Sequence, residues 1–560
     1  MDRRTFLRRL GALAGAVVAG GGVAGCSGPA EVTKPATTVP RRRSSPGAAG
    51  ATRVHEVGGL PVAEWVVEEN KRPGSPGWVI PPPPGGAGPY PAPIEGFVDQ
   101  VSYRQGDEIT LYVSSVAPDF RADVYRMGYY QGLGGRRVHS TRELPGIVQR
   151  VPAASGDVHL VECAWRPSAK LRVGSDWAPG QYLIKLVGSG GERRYVPFTV
   201  RDDSSSAAIV VQSSVTTWQA YNLWGGYSLY GGGSTGDLAD RARVVSFDRP
   251  YERPDPNGSG DFIGNEFPFV YLAERHGLDV TYWTDVDLHA RPHLLANHRC
   301  LVSLGHDEYW SWQMRFDGAA AALAKGVNLA FLGANACYRQ IRFEDSALGP
   351  NRRVVCYKDY KADPIYATDP KLATGASWQE DAVSLPESEL IGVMYQAYGA
   401  DAPLVVADAS SWVFAGTGLR DKEAVHGVPA ANQNVVGSEF DGFEPRLPGP
   451  RNVTILAHSP APSVGGQLYS DMSYYTRPGG GGVFATGTAR WVQLLWDGAA
   501  SLDAALSFGV SPAMRPLTQI TLNVLAAFAR GPASRHHPST ANWQRFYSPS
   551  VAPVRSVDVS

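Results

Sequence analysis

Three short segments of this 560-residue chain bring together residue types that can do chemistry. GHDEYW at 305–310 supplies His306, Asp307, Glu308 and Tyr309. TTWQAYNLWGG at 216–226 supplies Trp218, Tyr221, Asn222 and Trp224, and GANACYR at 333–339 supplies Asn335 and Tyr338. Each closely follows an apolar run, and in open α/β sheets the groups beyond the carboxyl ends of the strands converge on one crevice. A sharp strand-to-helix turn is expected at 306, the place where a nucleophile elbow carries Ser or Cys. No GxSxG occurs; the residue is His306, a poor nucleophile but a good general base or hydrogen-bond donor. Glu308 can ligate a metal with His306 behind it. The competing structural assignment makes Asp307 the cap of a helix starting near Tyr309.

These segments need strands to hold them. Apolar runs at Ala207–Val211, Val280–Trp283, Cys300–Leu304 and Val327–Leu332 alternate with helix-like stretches, FPFVYLAERHG and Trp310–Lys325. Buried strands alternating with helices predict an α/β domain with a largely parallel sheet over 203–535. Later strands are expected at Trp412–Ala415, Val453–Ala457 and Gly482–Ala485, with closing helices at Thr488–Leu495 and Leu517–Arg530. Before it, residues 94–202 switch to a period of two, with strands at Ile109–Ser115, Ala122–Gly128, Gln181–Gly188 and Tyr195–Asp202, which predicts a compact β-sandwich. The 63 glycines and 43 prolines exclude a helical bundle, and many precede residue 94, where 27–93 reads as a tether and a Pro-rich strap. Residues 536–560 read as a tail.

Lys+Arg 52 against Asp+Glu 53 gives a net charge of −1, so no basic excess exists to hold a nucleic-acid backbone. The neutrality hides a basic leader. Arg3 and Arg4 precede a Gly/Ala-rich apolar stretch from Leu10 to Ala24, too short to span a bilayer and resembling a twin-arginine export signal. VAGC at 23–26 resembles a lipobox with Cys26 as the lipidated residue, giving 1–26 as the signal and placing the protein in the cell envelope, lipid-anchored or periplasmic. An ordinary basic leader, cut without lipid attachment, is the plainer alternative. Cys163, Cys300, Cys337 and Cys356 remain; Cys337 and Cys356 could close a modest disulfide loop. The absence of CxxC or Cys/His zinc spacing argues against a structural zinc site.

IEGFVDQVSYRQGDEITLYVSS, VYRMGYYQGLGGRRV, TTWQAYNLWGGYSLY, VSFDRPY, WTDVDLH, VSLGHDEYW and GANACYRQIRFE together resemble the large (beta) subunit family of N,N-dimethylformamidase, over about residues 94 to 535. The resemblance implies an immunoglobulin-like β-sandwich preceding an α/β domain of glutamine amidotransferase-like (flavodoxin-like) shape, without that enzyme's cysteine. It also implies hydrolysis of a small N-substituted amide, with one iron held by two tyrosines and a glutamate. Residue by residue, the metal glutamate matches Glu308, the neighbouring histidine His306, the active-site asparagine Asn335, and a catalytic glutamate Glu439 in VVGSEFDG. For the tyrosine ligands Tyr221 is the first choice and Tyr251 the second, with Tyr230 and Tyr182 as rivals.

Two phenolates and a carboxylate carry three negative charges on hard oxygen donors, which matches mononuclear ferric iron. Three protein ligands leave room for the amide oxygen and a water, with Glu439 to accept the water's proton and His306 and Asn335 to position substrate or oxyanion. Trp218, Trp224 and Trp310 could wall an apolar pocket for N-alkyl groups, although 14 Trp and 25 Tyr make packing the ordinary role. The family enzyme works with a small partner subunit, which nothing in this chain supplies; self-association stays open. The alternatives are a cell-surface carbohydrate- or protein-binding protein with a silent α/β domain, or a hydrolase of another C–N bond.

Overall fold

The computed structural model describes residues 53–81, 91–233, 238–252, 257–380, 383–428, 433–498, 502 and 510–548. The expected signal over 1–26, the tether up to residue 50 and part of the Pro-rich strap lie outside the described residues.

The strands that carry the three motifs lie in one seven-stranded sheet. Its members are β1 (Ile209–Ser213), β2 (Val280–Thr284), β3 (Cys300–Gly305), β4 (Asn328–Gly333), β5 (Thr454–Ser463), β6 (Gly466–Thr476) and β7 (Gly482–Ala485), in the order β2-β1-β3-β4-β7-β6-β5. The first five positions are parallel, but β7 with β6 and β6 with β5 are antiparallel. β1 to β4 are buried along their whole length, as continuous apolar runs covered on both faces must be. β5 is the outer strand, and Pro460 and Pro462 are tolerated there because an edge position need not donate its N–H.

The fold class differs from the one expected. Taken over the whole chain the sheets are mostly mixed or antiparallel, not a largely parallel flavodoxin-like or glutamine amidotransferase-like arrangement. The cause is β6 and β5, together with further small sheets such as Met394–Tyr398 with Glu439–Gly442. Nor is the first region an immunoglobulin-like sandwich. Its strands form a three-stranded sheet, Ile94–Val98, Glu108–Ser115 and Ala169–Arg172, and a six-stranded one in which Ser102–Arg104 runs parallel to Arg193–Arg201. Leu111, Val124, Ile184 and Val196 join the two in one apolar core.

Several local expectations also change. Trp412–Phe414 is a single helical turn rather than a strand, and Thr488–Leu495 contains only the short turn Gln493–Leu495. The closing helix is Met514–Ala529. Cys163, Cys300, Cys337 and Cys356 are all free and buried, so the possible Cys337–Cys356 bridge is not formed. Residues 54–80 are built into the fold: a hairpin, the helix Glu64–Lys71 and a turn that buries Trp78, whose indole donates to Leu133 O at 2.9 Å. No helix among the described residues is long and apolar enough to cross a membrane.

Glu266 stands just before the helix Phe267–Arg275 and accepts hydrogen bonds from Ser214 N at 2.9 Å and Trp218 Nε1 at 3.1 Å. Burial pushes its carboxyl up to about 8. The folded protein therefore holds a proton that the unfolded chain releases, so this group's contribution falls as pH rises from the ordinary carboxylate range to about 8. Glu266→Gln is expected to remove that slope, gaining stability over the wild type as pH is raised; urea denaturation at pH 5 and pH 8 measures it. An identical pH dependence in both proteins would contradict the assignment.

Candidate functional site

Two glycines set the geometry at the sheet's carboxyl end. β3 and β4 finish opposite one another at Gly305 and Gly333, and a Cβ on Gly333 would stand 1.8 Å from Gly305 O. Gly305 has φ +61° and packs against Asn265 O, so a side chain there would be both strained and blocked. From this pinch the chain runs His306, Asp307, Glu308 into a short strand, Tyr309–Ser311, paired in parallel with Arg339–Ser346. The expected helix at Tyr309 begins later, with the π-helix Gln313–Ala320. Asp307 is accordingly not a helix cap. It is buried beneath the site, accepting from Ser303 Oγ at 2.8 Å and Gln212 Nε2 at 3.0 Å.

Glu308, 1% exposed, is the centre of the cluster. Its N–H donates to Thr217 Oγ1 at 3.0 Å, which fixes its backbone against the helix Val215–Tyr221. Tyr221 ends that helix and donates its hydroxyl to Glu308 Oε2 at 2.9 Å. The chain then reverses through Gly225 and Gly226, both at positive φ, and returns Tyr230 to the same carboxylate. Tyr230 Oη lies 2.7 Å from Glu308 Oε1, 2.9 Å from Oε2 and 2.9 Å from Tyr221 Oη, with the two phenol rings stacked at 4.3 Å. Arg339 Nε, also buried, completes the set at 3.1 Å from Glu308 Oε1.

The other expected residues stand beside it. His306 Nε2 is 3.4 Å from Glu308 Oε2 and 3.0 Å from Glu439 Oε2. Asn335 Nδ2 donates to Glu439 Oε2 at 3.0 Å. Asn335 sits just past β4 at φ +56°, held by its N–H to Asp441 Oδ1 at 2.8 Å. Because Asp441 and Glu439 belong to one short strand, that bond fixes Asn335 relative to Glu439. Tyr251 and Tyr182 are not among the groups gathered at Glu308. Tyr251 packs edge-on to Trp218 at 6.2 Å, and Tyr182 donates to Ala178 O at 2.7 Å within the first domain's core. The three tryptophans are buried, and of them Trp218 lines a small cavity with Val215, Phe247 and Tyr251. Trp224 is buried and donates to Glu95 at 2.9 Å, Trp218 donates to Glu266, and Trp310 packs near Phe331.

Burial, reinforced by the charge of Glu308, holds the phenols of Tyr221 and Tyr230 well above the ordinary tyrosine value. That direction favours the protonated phenols, which can donate to the Glu308 carboxylate. Among the described residues no group of three His, Cys, Asp or Glu is arranged to hold a metal ion. The oxygens present suit one cation: two phenols and a carboxylate, all hard donors, within 2.7–2.9 Å of one another. Sequence reasoning missed Arg339 and Asp441. Arg339 lies inside the GANACYR segment and Asp441 two residues after Glu439; a charged residue beside each motif was the available signal.

The strand ends of this mixed sheet gather carboxylates, tyrosines, a histidine and an asparagine, the residue types of a candidate catalytic site. The family described as "N,N-dimethylformamidase beta subunit-like, C-terminal" matches residues 121–501, and the chain belongs to that family. It is thus a dimethylformamidase-like hydrolase in general terms. Comparison with curated proteins finds no match.

Proposed function

We propose that this chain is an exported, iron-dependent hydrolase of small N-substituted amides. The observation that carries the reading is the meeting of Tyr221, Tyr230 and Glu308 next to the His306–Glu439–Asn335 group. Tyr221, Tyr230 and Glu308 would hold ferric iron, with Tyr230 in the second tyrosine position, for which Tyr251 was the expected residue and Tyr230 a rival. When bound, the ion would supply Lewis acidity toward the amide carbonyl and neutralise the phenolates.

The chain's own residues account for the proton and the positioning. Glu439 is the most accessible of the three, with its side chain 16% exposed against 3% for His306. Glu439 Oε2 is placed to take a proton from the attacking water as its oxygen bonds to the carbonyl carbon. Asn335 Nδ2 and His306 Nε2 hold that carboxylate in place, and either can turn a hydrogen-bond donor toward the developing oxyanion. The C–N bond then breaks, the amine leaves with the returned proton, and the acyl part departs as carboxylate.

The leader resembling a twin-arginine signal and the lipobox at Cys26 support export and anchorage to the outer face of the plasma membrane or release into the periplasm. The family's beta subunit-like description supports a second polypeptide or self-association. Metal analysis of purified protein is expected to find about one iron per chain, with visible phenolate-to-iron colour, and release of amine from a panel of small amides. Tyr230→Phe is expected to lose iron and colour while Tyr251→Phe keeps both. A colourless preparation that stays metal-free after iron is supplied would sink this mechanism and favour a silent binding protein.

A further inference from the structure

One amine faces the same cluster from a part of the chain that no motif marks. Lys358 follows the strand Gly349–Val355 and takes φ +54°, a left-handed conformation costly for a residue with a Cβ. Asn335 and Cys337 share that conformation, so backbone strain gathers at this site. The strained backbone sends the side chain inward: Nζ is buried and without a hydrogen-bond partner among the described residues. It lies 3.2 Å from the centroid of the Tyr230 ring and 5.8 Å from that of Tyr309. A buried amine lacking hydrogen bonds is costly to keep charged, and the surface it packs on here is the π-face of Tyr230. That ring is clamped on two sides, Lys358 against its face and Tyr221 stacked at 4.3 Å.

We propose that Lys358 is a positioning residue for Tyr230, fixing the ring so that its hydroxyl meets Glu308. The inference rests on the reading of Tyr230 as a metal-holding side chain, but its geometric part holds for the metal-free protein. The test therefore has two arms. In metal-free protein, 3-fluorotyrosine placed at position 230 reports the ring environment by its fluorine resonance. Lys358→Met is expected to move that resonance by more than its linewidth, and Lys358→Arg to move it part of the way back. In iron-loaded protein, Lys358→Met is expected to keep its iron but shift the visible band, because the Tyr230 ring is no longer held in one orientation toward Glu308. Its kcat should fall on the order of tenfold with KM nearly unchanged.

An unmoved fluorine resonance in folded Lys358→Met overturns the inference, whatever happens to iron. A moved resonance in a protein that never takes up iron supports the positioning role and sinks only the metal reading. A coloured wild type with band and resonance both unchanged in the variant does the reverse. Should Lys358→Met fail to fold, Lys358→Gln is judged by the same resonance and the same criterion.

Discussion

Replacing Glu308 with alanine is expected to leave a protein without iron, without colour and with kcat/KM reduced on the order of 10³ or more. Both carboxylate oxygens are engaged, by Tyr221, Tyr230 and Arg339, so no neighbouring side chain can take over its place. Alanine also leaves the buried Arg339 guanidinium without its carboxylate, a loss of about 3–5 kcal/mol for a buried pair. Loss of activity could then follow from loss of structure. Glu308→Gln separates the two, because it keeps volume and one acceptor for Arg339 while removing the anionic donor. The expected pattern is a folded, iron-free Gln variant beside a less stable Ala variant. Retention of iron and colour in either would refute the donor set.

Glu274→Ala should cost about 3–5 kcal/mol in urea denaturation, roughly a fifth or more of the usual stability of a folded protein. Arg126 and Glu274 are both fully buried and form a two-pronged pair at 2.5 and 2.8 Å. The pair joins the first domain to the helix Phe267–Arg275 of the second. Asn70 Nδ2 and Tyr282 Oη each donate to the same carboxylate at 2.8 Å, so removing it strands three donors at once. The double variant Arg126→Met with Glu274→Leu removes both charges together and should recover most of the loss. If Glu274→Ala alone is within about 1 kcal/mol of wild type, the junction does not depend on the pair.

The parallel strands and the motifs behind them were legible because continuous apolar runs such as CLVSL and VNLAFL have one physical use, burial on both faces. β6 was not legible. Its inward positions include Ser470, Asp471 and Ser473, and Asp471 is buried because His458 and Tyr547 pair with it. Partners 13 and 76 residues away make that strand look polar, and with it went the mixed character of the sheet. The same limit governs the tyrosines. Glu308 and Tyr221 follow their strands directly, whereas Tyr230 reaches the site only because Gly225 and Gly226 turn the chain back. Nothing local distinguishes it from Tyr251 among 25 tyrosines. Lys358 had no signal at all, since its inward course depends on one left-handed backbone position.

The outer strand of the main sheet bears on assembly. Along β5, Ile455 is held on both its N–H and its carbonyl by Asn542, and Leu456 O accepts from Ala407. Beyond that stretch Pro460 and Pro462 offer no N–H to a newcomer. At the far side of the sheet β2 lies against Arg193–Arg201 of the first domain. Both borders of this sheet are thus either occupied within the chain or blunted by proline, which disfavours lengthening it by a strand from another molecule.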